Sequence, residues 1–211
     1  MSELPLILLG GGGHAKVCLE LLLRQGRSCI GYTAVEASES FASNLRYMGS
    51  DNDIFSYSPD EVMLVNGIGK VAFNSLRRDL YQKFKEHGYS FATLIHESSV
   101  VASSALIGEG VQIMAASVVQ ANASLNDNVI INTRAVVEHD CTVDVHSHIS
   151  PGAIVCGTCK IGEHVHIGAG ATLIEGIQVG GNSVIGAGSL VLRDVRESTM
   201  VYGFPAKEVT I

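Results

Sequence analysis

The triplet Glu138-His139-Asp140 is the part of the sequence best suited to chemistry. An imidazole flanked by carboxylates can have its tautomer fixed and its pKa raised, which suits a general base that works near neutral pH. The neighbours Val137 and Cys141 are suited to the protein interior, so the three polar residues are expected at an outward-facing corner. A solvated corner without a chemical role is the alternative interpretation.

A second candidate site is the glycine run at 10–13, which His14 follows. The run lies between an apolar strand-like segment and an amphipathic helix-like one, so its backbone amides could bind a phosphate group. A dinucleotide fingerprint normally has an acidic residue at the end of the next strand, and here only Glu36 is available, late in the segment. A nicotinamide cofactor is therefore disfavoured. A different nucleotide is favoured, and a purely structural turn is the remaining alternative.

Two pairs of histidines recur at one spacing in the second half of the chain. His164 follows His146 at eighteen positions, and His166 follows His148 at the same interval. Neutral imidazoles bind zinc well, so this arrangement raises the possibility of a metal site. Side chains that stack on one face of a repetitive fold are neighbours by geometry alone, however. This second interpretation is favoured, and no metal is expected.

The elements that must position these residues follow from a six-residue period. Every sixth residue from Ile95 to Val191 is Ile, Val or Leu, and a small or compact residue follows each of them four positions later. This period is typical of hexapeptide β-helix repeats, in which each unit is a short strand and a turn. Three units per coil give slightly fewer than six coils and a stack about 27 Å tall. The phase is lost beyond Val195, so a cap is expected over the open end.

The first ninety residues have a different pattern, in which apolar strands alternate with amphipathic segments. Strands are predicted at 6–9, 28–33 and 61–66. A helix is predicted at 71–87, with Arg77 on its solvated face. This order of elements predicts a small Rossmann-like α/β domain with a mostly parallel sheet.

Length and composition limit the classes of function. The 211 residues divide into the α/β domain at 1–92 and the β-helix with its C-terminal cap at 93–211. A net charge of −7 and a pI of about 5.6 argue against binding to nucleic acid or anionic membranes. No apolar run could span a membrane, and no signal peptide is recognised. Five cysteines suit a reducing compartment, so a cytoplasmic protein is expected, with Cys141 and Cys159 as buried thiols.

With these features in place, the chain resembles the nucleotide-amino-sugar N-acetyltransferases of the bacillosamine pathway and the related sialic acid O-acetyltransferases. The resemblance spans essentially the whole chain. Its segments are Gly-Gly-Gly-Gly-His-Ala-Lys at 10–16, Leu-Ile-His-Glu-Ser-Ser at 94–99, Val-Glu-His-Asp-Cys at 137–141, Ser-His-Ile-Ser at 147–150 and Gly-Phe-Pro-Ala-Lys at 203–207. It implies a left-handed parallel β-helix, a homotrimer with active sites between subunits, and acetyl-CoA as co-substrate.

The resemblance also implies roles for individual residues. His139 would be the general base, with Glu138 or Asp140 orienting it. His148 would touch the acetyl carbonyl or the thioester. The remaining contacts to acetyl-CoA would come from Gly157, Ala169 and Ala187.

The nucleotide sugar would be held by two further segments. It would rest on the turn at Gly11, Gly12, Gly13 and His14 and on the loop at Asn66, Gly67 and Ile68, and Asn132 would line the same pocket. Many relatives end the second strand with a pair of aspartates that read the nucleotide. This chain has Thr33-Ala34-Val35 there, so the nucleotide is not fixed by the resemblance.

The expected function is N-acetylation of the amino group of a nucleotide-linked 4-amino-dideoxy sugar, with UDP as the expected nucleotide, in the synthesis of bacterial surface glycans. The acetyl group would pass directly from acetyl-CoA to the amine. O-acetylation of a sialic acid is the close alternative. Two alternatives belong to other classes: a zinc enzyme like the γ-class carbonic anhydrases, and a non-catalytic protein that binds nucleotide sugars.

Overall fold

The computed structural model describes residues 4–38, 41 and 45–209, and these form two compact units. One unit comprises the described residues up to Gly69 together with Ser75–Leu94. The other comprises Lys70–Asn74 and the described residues from Ile95 onward. Within the part of the chain described, no helix is long and apolar enough to cross a membrane.

The N-terminal unit is an α/β fold around a parallel sheet, as predicted. The strands are β1 (Leu6–Leu9), β2 (Cys29–Thr33), β3 (Met63–Asn66) and β4 (Ser90–Phe91), and the helices are α1 (Gly13–Arg24), α2 (Leu76–Glu86) and a short 3-10 helix (Asp51–Ser56). The sheet order is β2-β1-β3-β4, and every pair in it is parallel. The core is aliphatic and aromatic, because the strands have apolar side chains on both faces.

Helix α2 differs from its prediction in two ways. It begins at Leu76 and not at Val71, because the segment 71–74 forms a turn that the Asn74 amide closes by donating to the Val71 carbonyl at 3.1 Å. Ala72 lies in this turn with a φ of +45°, which a helix does not allow. The predicted solvated face was also wrong at Arg77, which is only 2% exposed.

The C-terminal unit is a parallel β-helix built from two-residue strands. These are β5 (Leu94–Ile95), β6 (Val100–Val101), β7 (Leu106–Ile107), β8 (Gln112–Ile113), β9 (Val118–Val119), β10 (Ser124–Leu125), β11 (Ile130–Ile131), β12 (Val136–Val137), β13 (Thr142–Val143), β14 (His148–Ile149), β15 (Ile154–Val155), β16 (Lys160–Ile161), β17 (His166–Ile167), β18 (Thr172–Leu173), β19 (Gln178–Val179), β20 (Val184–Ile185) and β21 (Leu190–Val191). Each strand ends on one aliphatic residue of the six-residue series, so the hexapeptide prediction is confirmed.

The strands stack into three faces, and successive strands of one face are eighteen positions apart in the sequence, which gives about six coils. The first face contains β5, β8, β11, β14, β17 and β20, the second contains β6, β9, β12, β15, β18 and β21, and the third contains β7, β10, β13, β16 and β19. Val137 pairs with Val155, and Ile149 pairs with Ile167, in parallel register. The aliphatic side chains of the series are at most 2% exposed from Ile113 to Val191, and together they form the core.

The last coil is shorter than the others, and a hairpin closes it. Val195 bridges to Val179, which is a step of sixteen positions instead of eighteen. Strand β22 (Met200–Gly203) then pairs with β20, and β23 (Ala206–Val209) returns antiparallel to β22. This hairpin occupies the end of the stack at which the sequence analysis expects a cap.

Candidate functional site

In the N-terminal unit, the structure brings the two predicted nucleotide-sugar segments together. Helix α1 begins at the glycine turn, where a Cβ on Gly12 or Gly13 would have no heavy atom within 4 Å. The loop after β3 packs against the base of this turn. A Cβ on Gly10 would lie 2.6 Å from Ile68 Cδ1, and a Cβ on Gly67 would lie 2.5 Å from the Leu9 carbonyl oxygen. The turn is thus open on its outer side and closely packed on its inner side.

The end of strand β2 has an acidic partner that sequence reasoning missed. The Thr33 hydroxyl donates to Asp51 Oδ1 at 2.6 Å. Asp51 is the first residue of the 3-10 helix and lies well beyond the strand in the sequence. Only the fold brings it to the strand end, whereas Glu36, the acidic residue considered from the sequence, is exposed.

In the C-terminal unit, His139 and Asp140 form a hydrogen-bonded pair at an outward corner, as predicted. They occupy the turn between β12 and β13, and the His139 Nδ1 to Asp140 Oδ2 distance is 2.8 Å. Asp140 has a φ of +58°, a conformation that Asp tolerates better than most residues. A carboxylate only accepts hydrogen bonds, so a neutral His139 donates from Nδ1 and keeps a free lone pair on Nε2. Asp140, and not Glu138, is therefore the residue that orients His139.

Gly157 lies one coil further along the same column and makes room for the imidazole. A Cβ at this position would lie 2.6 Å from His139 Nε2 and 2.7 Å from Cε1. Gly157 does not have a positive φ, so its backbone conformation does not require a glycine. The close approach of the His139 ring does. The ring of His139 therefore leans over the next coil.

Carboxylates surround His139. The hydrogen bond to Asp140, together with the negative charges of Asp140, Glu138 and Glu175, raises the pKa of His139. Glu175 was missed by sequence reasoning, although its place two complete coils after His139 could have identified it. Its coil follows that of Gly157 directly, because the Gly176 amide donates to the Gly157 carbonyl at 2.9 Å.

A second polar group joins Asn132 and His148. His148 lies on the first face and is only 7% exposed, and its Nδ1 contacts the Lys70 carbonyl oxygen at 3.0 Å. Its Nε2 lies 3.0 Å from the Asn132 amide nitrogen. A carbonyl can only accept, so Nδ1 carries the proton and Nε2 accepts from Asn132. Both ring nitrogens of His148 are thus engaged within the chain.

The predicted stacking of the histidines is observed. His148 and His166 pair in register on adjacent strands, with ring centroids 5.2 Å apart. No group of three or more His, Cys, Asp or Glu side chains that could hold a metal ion occurs within residues 4–38, 41 and 45–209. Cys141 and Cys159 are free, buried thiols, as expected.

The predicted site residues of this unit fall on two different edges of the β-helix. His139, Asp140 and Gly157 lie on the turns that join the second face to the third, which we call the His139 edge. Asn132, Ala169 and Ala187 lie on the turns that join the first face to the second. We call these turns the Ala169 edge. A face is six residues wide, so the second face separates the two edges by roughly 15–20 Å.

The second face is apolar on its outer side, except at Thr172. Its outward residues form one row, which we call the apolar row: Val100, Val118, Val136, Ile154, Thr172 and Leu190. Val100 is 61% exposed and Ile154 is 40% exposed. Apart from Leu106, the outward row of the third face is polar: Ser124, Thr142, Lys160 and Gln178. A row of aliphatic side chains along a protein surface is typical of an interaction site.

Comparisons with known families agree with this architecture. A family model described as the PglD N-terminal domain matches residues 5–84, and one described as bacterial transferase hexapeptide (six repeats) matches residues 158–193. The chain is 34% identical to UDP-N-acetylbacillosamine N-acetyltransferase from Bacillus subtilis (strain 168) over 112 residues, which are 51% of this chain. The chain therefore spans about half, 50%, of the length of that curated relative.

Solved structures match over nearly the whole chain. The acetyltransferase domain of PglB from Neisseria gonorrhoeae FA1090 is 34% identical, with a TM-score of 0.91 over 98% of this chain and 100% of that one. The same domain has been solved with acetyl coenzyme A. PerB from Caulobacter crescentus, in complex with CoA and GDP-perosamine, is 34% identical with a TM-score of 0.89, over 98% of this chain and 97% of that one.

These matches extend through both units, and one solved relative is matched over its full length at 34% identity. The chain therefore belongs to the family of hexapeptide-repeat sugar N-acetyltransferases that have a PglD-type N-terminal domain.

Proposed function

We propose that the protein is an acetyl-CoA-dependent N-acetyltransferase that modifies the amino group of a nucleotide-linked amino sugar. The observation that carries this proposal is the geometry of His139. Asp140 fixes its tautomer from one side, and the open space at Gly157 accommodates its free Nε2 on the other. Such an imidazole is arranged to take a proton, and the family supplies the reaction in which a proton must be taken.

In this mechanism the acetyl group moves in one direct transfer. The ammonium group first loses one proton to solvent, the neutral amine then attacks the thioester carbonyl, and His139 Nε2 takes a second proton from the nitrogen as the C–N bond forms. The tetrahedral intermediate then collapses, the C–S bond breaks, and the proton passes from His139 to the departing CoA thiolate. The thioester is already activated, so no covalent intermediate on the protein is required.

A backbone N–H is the better candidate for stabilising the oxyanion. The family resemblance implies that His148 touches the acetyl carbonyl or the thioester, which would make it an alternative donor. The hydrogen bonds of His148 leave it no free N–H, because Nδ1 donates to Lys70 and Nε2 accepts from Asn132. A single preorganised donor typically contributes about 10²–10³ in rate.

The charge around His139 favours an amine over a sialic acid as acceptor. Glu138, Asp140 and Glu175 make this edge strongly negative at neutral pH. An amino sugar arrives as an ammonium ion, which these carboxylates attract, whereas a sialic acid carries a carboxylate that they repel. Transfer to nitrogen is therefore the favoured reaction, and transfer to oxygen is the alternative outcome of the test below.

We also propose that the active site lies between copies of this chain in a homotrimer. The His139 edge and the Ala169 edge are on opposite sides of the apolar row, roughly 15–20 Å apart, so one copy does not place them side by side. A head-to-tail contact along the apolar row would set the His139 edge of one copy beside the Ala169 edge of the next, where Asn132, Ala169 and Ala187 lie. Such a contact closes into a ring.

The nucleotide sugar is proposed to bind the N-terminal unit. The open side of the turn at Gly11, Gly12, Gly13 and His14 lies at the start of α1, where backbone amides and the helix dipole favour a phosphate group. UDP and GDP sugars are both candidates, since the named relatives include one protein for each. The five free thiols and the nature of both substrates support a cytoplasmic location.

The test is a thiol-release assay with acetyl-CoA and a panel of acceptors. The panel contains UDP- and dTDP-linked 4-amino-dideoxyhexoses, GDP-perosamine and free sialic acid. Release of CoA with an amino sugar, together with an acetamide product in the mass spectrum, would support the proposal. Turnover of sialic acid alone would replace N-acetylation by O-acetylation, and no CoA release with any acceptor would contradict an acetyltransferase.

The His139→Ala variant tests the assigned base. We expect kcat to fall by about 10²-fold or more, because general base catalysis typically contributes that much. Affinity for acetyl-CoA should stay nearly unchanged. Variants of the Caulobacter enzyme in which one histidine is replaced have been solved with CoA and GDP-perosamine bound, which is consistent with such a separation of binding from chemistry. The exposed His87→Ala is the control, and normal turnover of His139→Ala would reject the assignment.

A further inference from the structure

Arg77 is a buried cation that the proposed mechanism does not use. It lies in the first turn of α2 and is only 2% exposed. Its Nη1 donates to the Asn66 carbonyl at 2.7 Å and to the Ile68 carbonyl at 2.8 Å. One guanidinium nitrogen therefore binds both ends of the loop that follows β3.

The loop binds back to the helix, so the bracing is mutual. Asn66 Nδ2 donates to the Arg77 carbonyl at 2.9 Å, and Asn66 Oδ1 accepts from the Ile68 amide at 3.3 Å. Burial lowers the pKa of Arg77 to about 9, so the side chain remains a cation at neutral pH. These bonds connect one residue of α2 with the last residue of β3 and with one residue of the loop that follows it.

Stability alone does not account for an arginine at this position. Desolvating a guanidinium costs free energy, and well-packed apolar residues of similar size often support a fold equally well or better. An apolar residue could not donate to the carbonyls of Asn66 and Ile68, however. The Arg77 Nη1 atom carries two N–H groups, so it can donate to both carbonyls at once.

The braced loop in turn supports the glycine turn. Ile68 packs where a Cβ on Gly10 would lie, at 2.6 Å, and a Cβ on Gly69 would lie 3.4 Å from His14 Cβ. A shift of the loop by about 1 Å would therefore move the inner side of the turn, and the loss of about one hydrogen bond to a bound ligand weakens binding about tenfold.

We propose that Arg77 is a positioning residue for the nucleotide-sugar site: it holds the loop at 66–69 in the shape that fixes the turn at 10–14. The inference rests on the proposed function, in which these two segments bind the nucleotide sugar. It adds a buried residue that touches neither substrate nor cofactor. It also assigns a role to a residue of α2 that the amphipathic pattern placed on the solvated face.

The experiment compares Arg77→Met, Arg77→Lys and the control Arg78→Met in the full chain. Arg78 is the neighbouring residue on the partly exposed side, where it pairs with Asp79 at 3.1 Å. The acceptor is GDP-perosamine or the UDP-linked 4-amino-dideoxyhexose, whichever the wild type acetylates. For Arg77→Met we expect KM for the nucleotide sugar to rise about tenfold or more, with kcat and KM for acetyl-CoA changed less than about twofold. Arg77→Lys, which reaches one carbonyl, should lie between Arg77→Met and Arg78→Met.

Hydrogen exchange gives a readout that does not require turnover. The amide of Ile68 should exchange faster in Arg77→Met than in the wild type, while Arg78→Met leaves it unchanged. A merely structural role would instead lower the melting temperature and the active fraction, with both KM values unchanged, and that result would overturn the inference. Where Arg77→Met does not fold, the same comparison is decided with Arg77→Lys. A wild-type protein without activity would count against the proposed function. The positioning role of Arg77 would then be decided by hydrogen exchange at Ile68 alone.

Discussion

His139 depends on a neighbour that contributes no side chain. Asp140 fixes the ring by its hydrogen bond to Nδ1, but the space that Nε2 occupies exists because Gly157 is a glycine. Orientation of the base and access to it are thus determined by different residues. This separation allows the two to be tested independently.

Replacing Gly157 by Ala should reduce kcat by about 10²-fold while the β-helix stays folded. The new Cβ would lie 2.6 Å from His139 Nε2, so the imidazole must rotate away from the acceptor. The backbone of Gly157 has no positive φ and accommodates alanine. Steady-state kinetics measures the fall in kcat, and circular dichroism checks that the β-helix is folded.

Gly181→Ala is the matched control for this variant. It lies in another coil without a positive φ, and a Cβ there would first meet Glu163 Cγ at 3.3 Å, which belongs to a flexible, exposed side chain. Its activity should match the wild type. If Gly157→Ala were as active as Gly181→Ala, the position assigned to the His139 ring in catalysis would be wrong.

The sequence predicted the chemistry of single residues better than their partners. Carboxylates on both sides of His139 were enough to predict a raised pKa, and the structure confirms its direction. The choice between Glu138 and Asp140 needed the turn geometry. Arg77 was misplaced because an amphipathic pattern treats every arginine as solvated, although a guanidinium can be buried where carbonyls receive it.

At the scale of elements, the first face of the β-helix places neutral imidazoles above one another. His166 lies next to His148 in the adjacent coil, and its Nδ1 has no hydrogen-bond partner among the described residues. Burial, followed by the nearby Lys70 ammonium, lowers the pKa of His166 to about 4. An unfolded histidine has a pKa of about 6.5, so the unfolded chain binds a proton between these two pH values while the native chain does not.

This difference predicts a loss of stability as the pH falls from about 6.5 to 4. His166 alone should lower the free energy of unfolding by about 2 kcal/mol between pH 7 and pH 5. The His166→Gln variant should lack that part of the pH dependence. Urea unfolding of both proteins at the two pH values measures it.

The exposed His87→Gln serves as the control for this variant and should keep the pH dependence of the wild type. An equal loss of stability in His166→Gln and in the wild type would show that His166 titrates normally in the native state. The predicted burial of its neutral form would then be wrong.

The elements themselves were largely predictable, and the exceptions have local causes. The six-residue period fixed the strands and their register, because an inward aliphatic side chain can occupy only one column of a coil. The start of α2 was predicted five residues too early, because Val71 and Phe73 continued the apolar pattern into a turn. The shortened step of the last coil follows Val191, where the series ends and no repeat remains to indicate the register.

At the scale of the whole molecule, the apolar row offers the proposed contact between copies. Val100 and Ile154 in this row are exposed in the single chain and its other aliphatic residues are half-buried, and the two edges on either side of it carry complementary halves of the predicted site. No sequence pattern distinguishes the second face from the other two, since all three share the inward series. The outward residues distinguish it, and they become readable only when the stacking of the coils assigns them to faces.

If the proposed trimer forms, Ile154→Glu should convert it into monomers and abolish acetyl transfer. A charge at this position would be desolvated in the interface without a partner, at a cost of several kcal/mol per ion. Light scattering should give three times the 22.3 kDa chain mass for the wild type and a single chain mass for the variant. The chain should remain folded, because Ile154 points away from the core.

Lys160→Glu, on the polar outward row of the third face, is the matched control and should stay trimeric and active. A monomeric wild type that acetylates an amino sugar would contradict both the trimer and the shared site. A trimeric Ile154→Glu variant would instead move the interface to another face.

The regular coil length also constrains how such a chain can grow or shrink. Inserting or deleting a complete coil moves everything beyond it by one rung of about 4.8 Å and keeps every residue in its column. A change of one residue rotates all later side chains between inside and outside. His139, Gly157 and Glu175 occupy three successive rungs, so a coil of unrelated sequence inserted between His139 and Gly157 would separate the proposed base from the gap that accommodates it. Insertion of such a coil outside this block would leave the three residues adjacent.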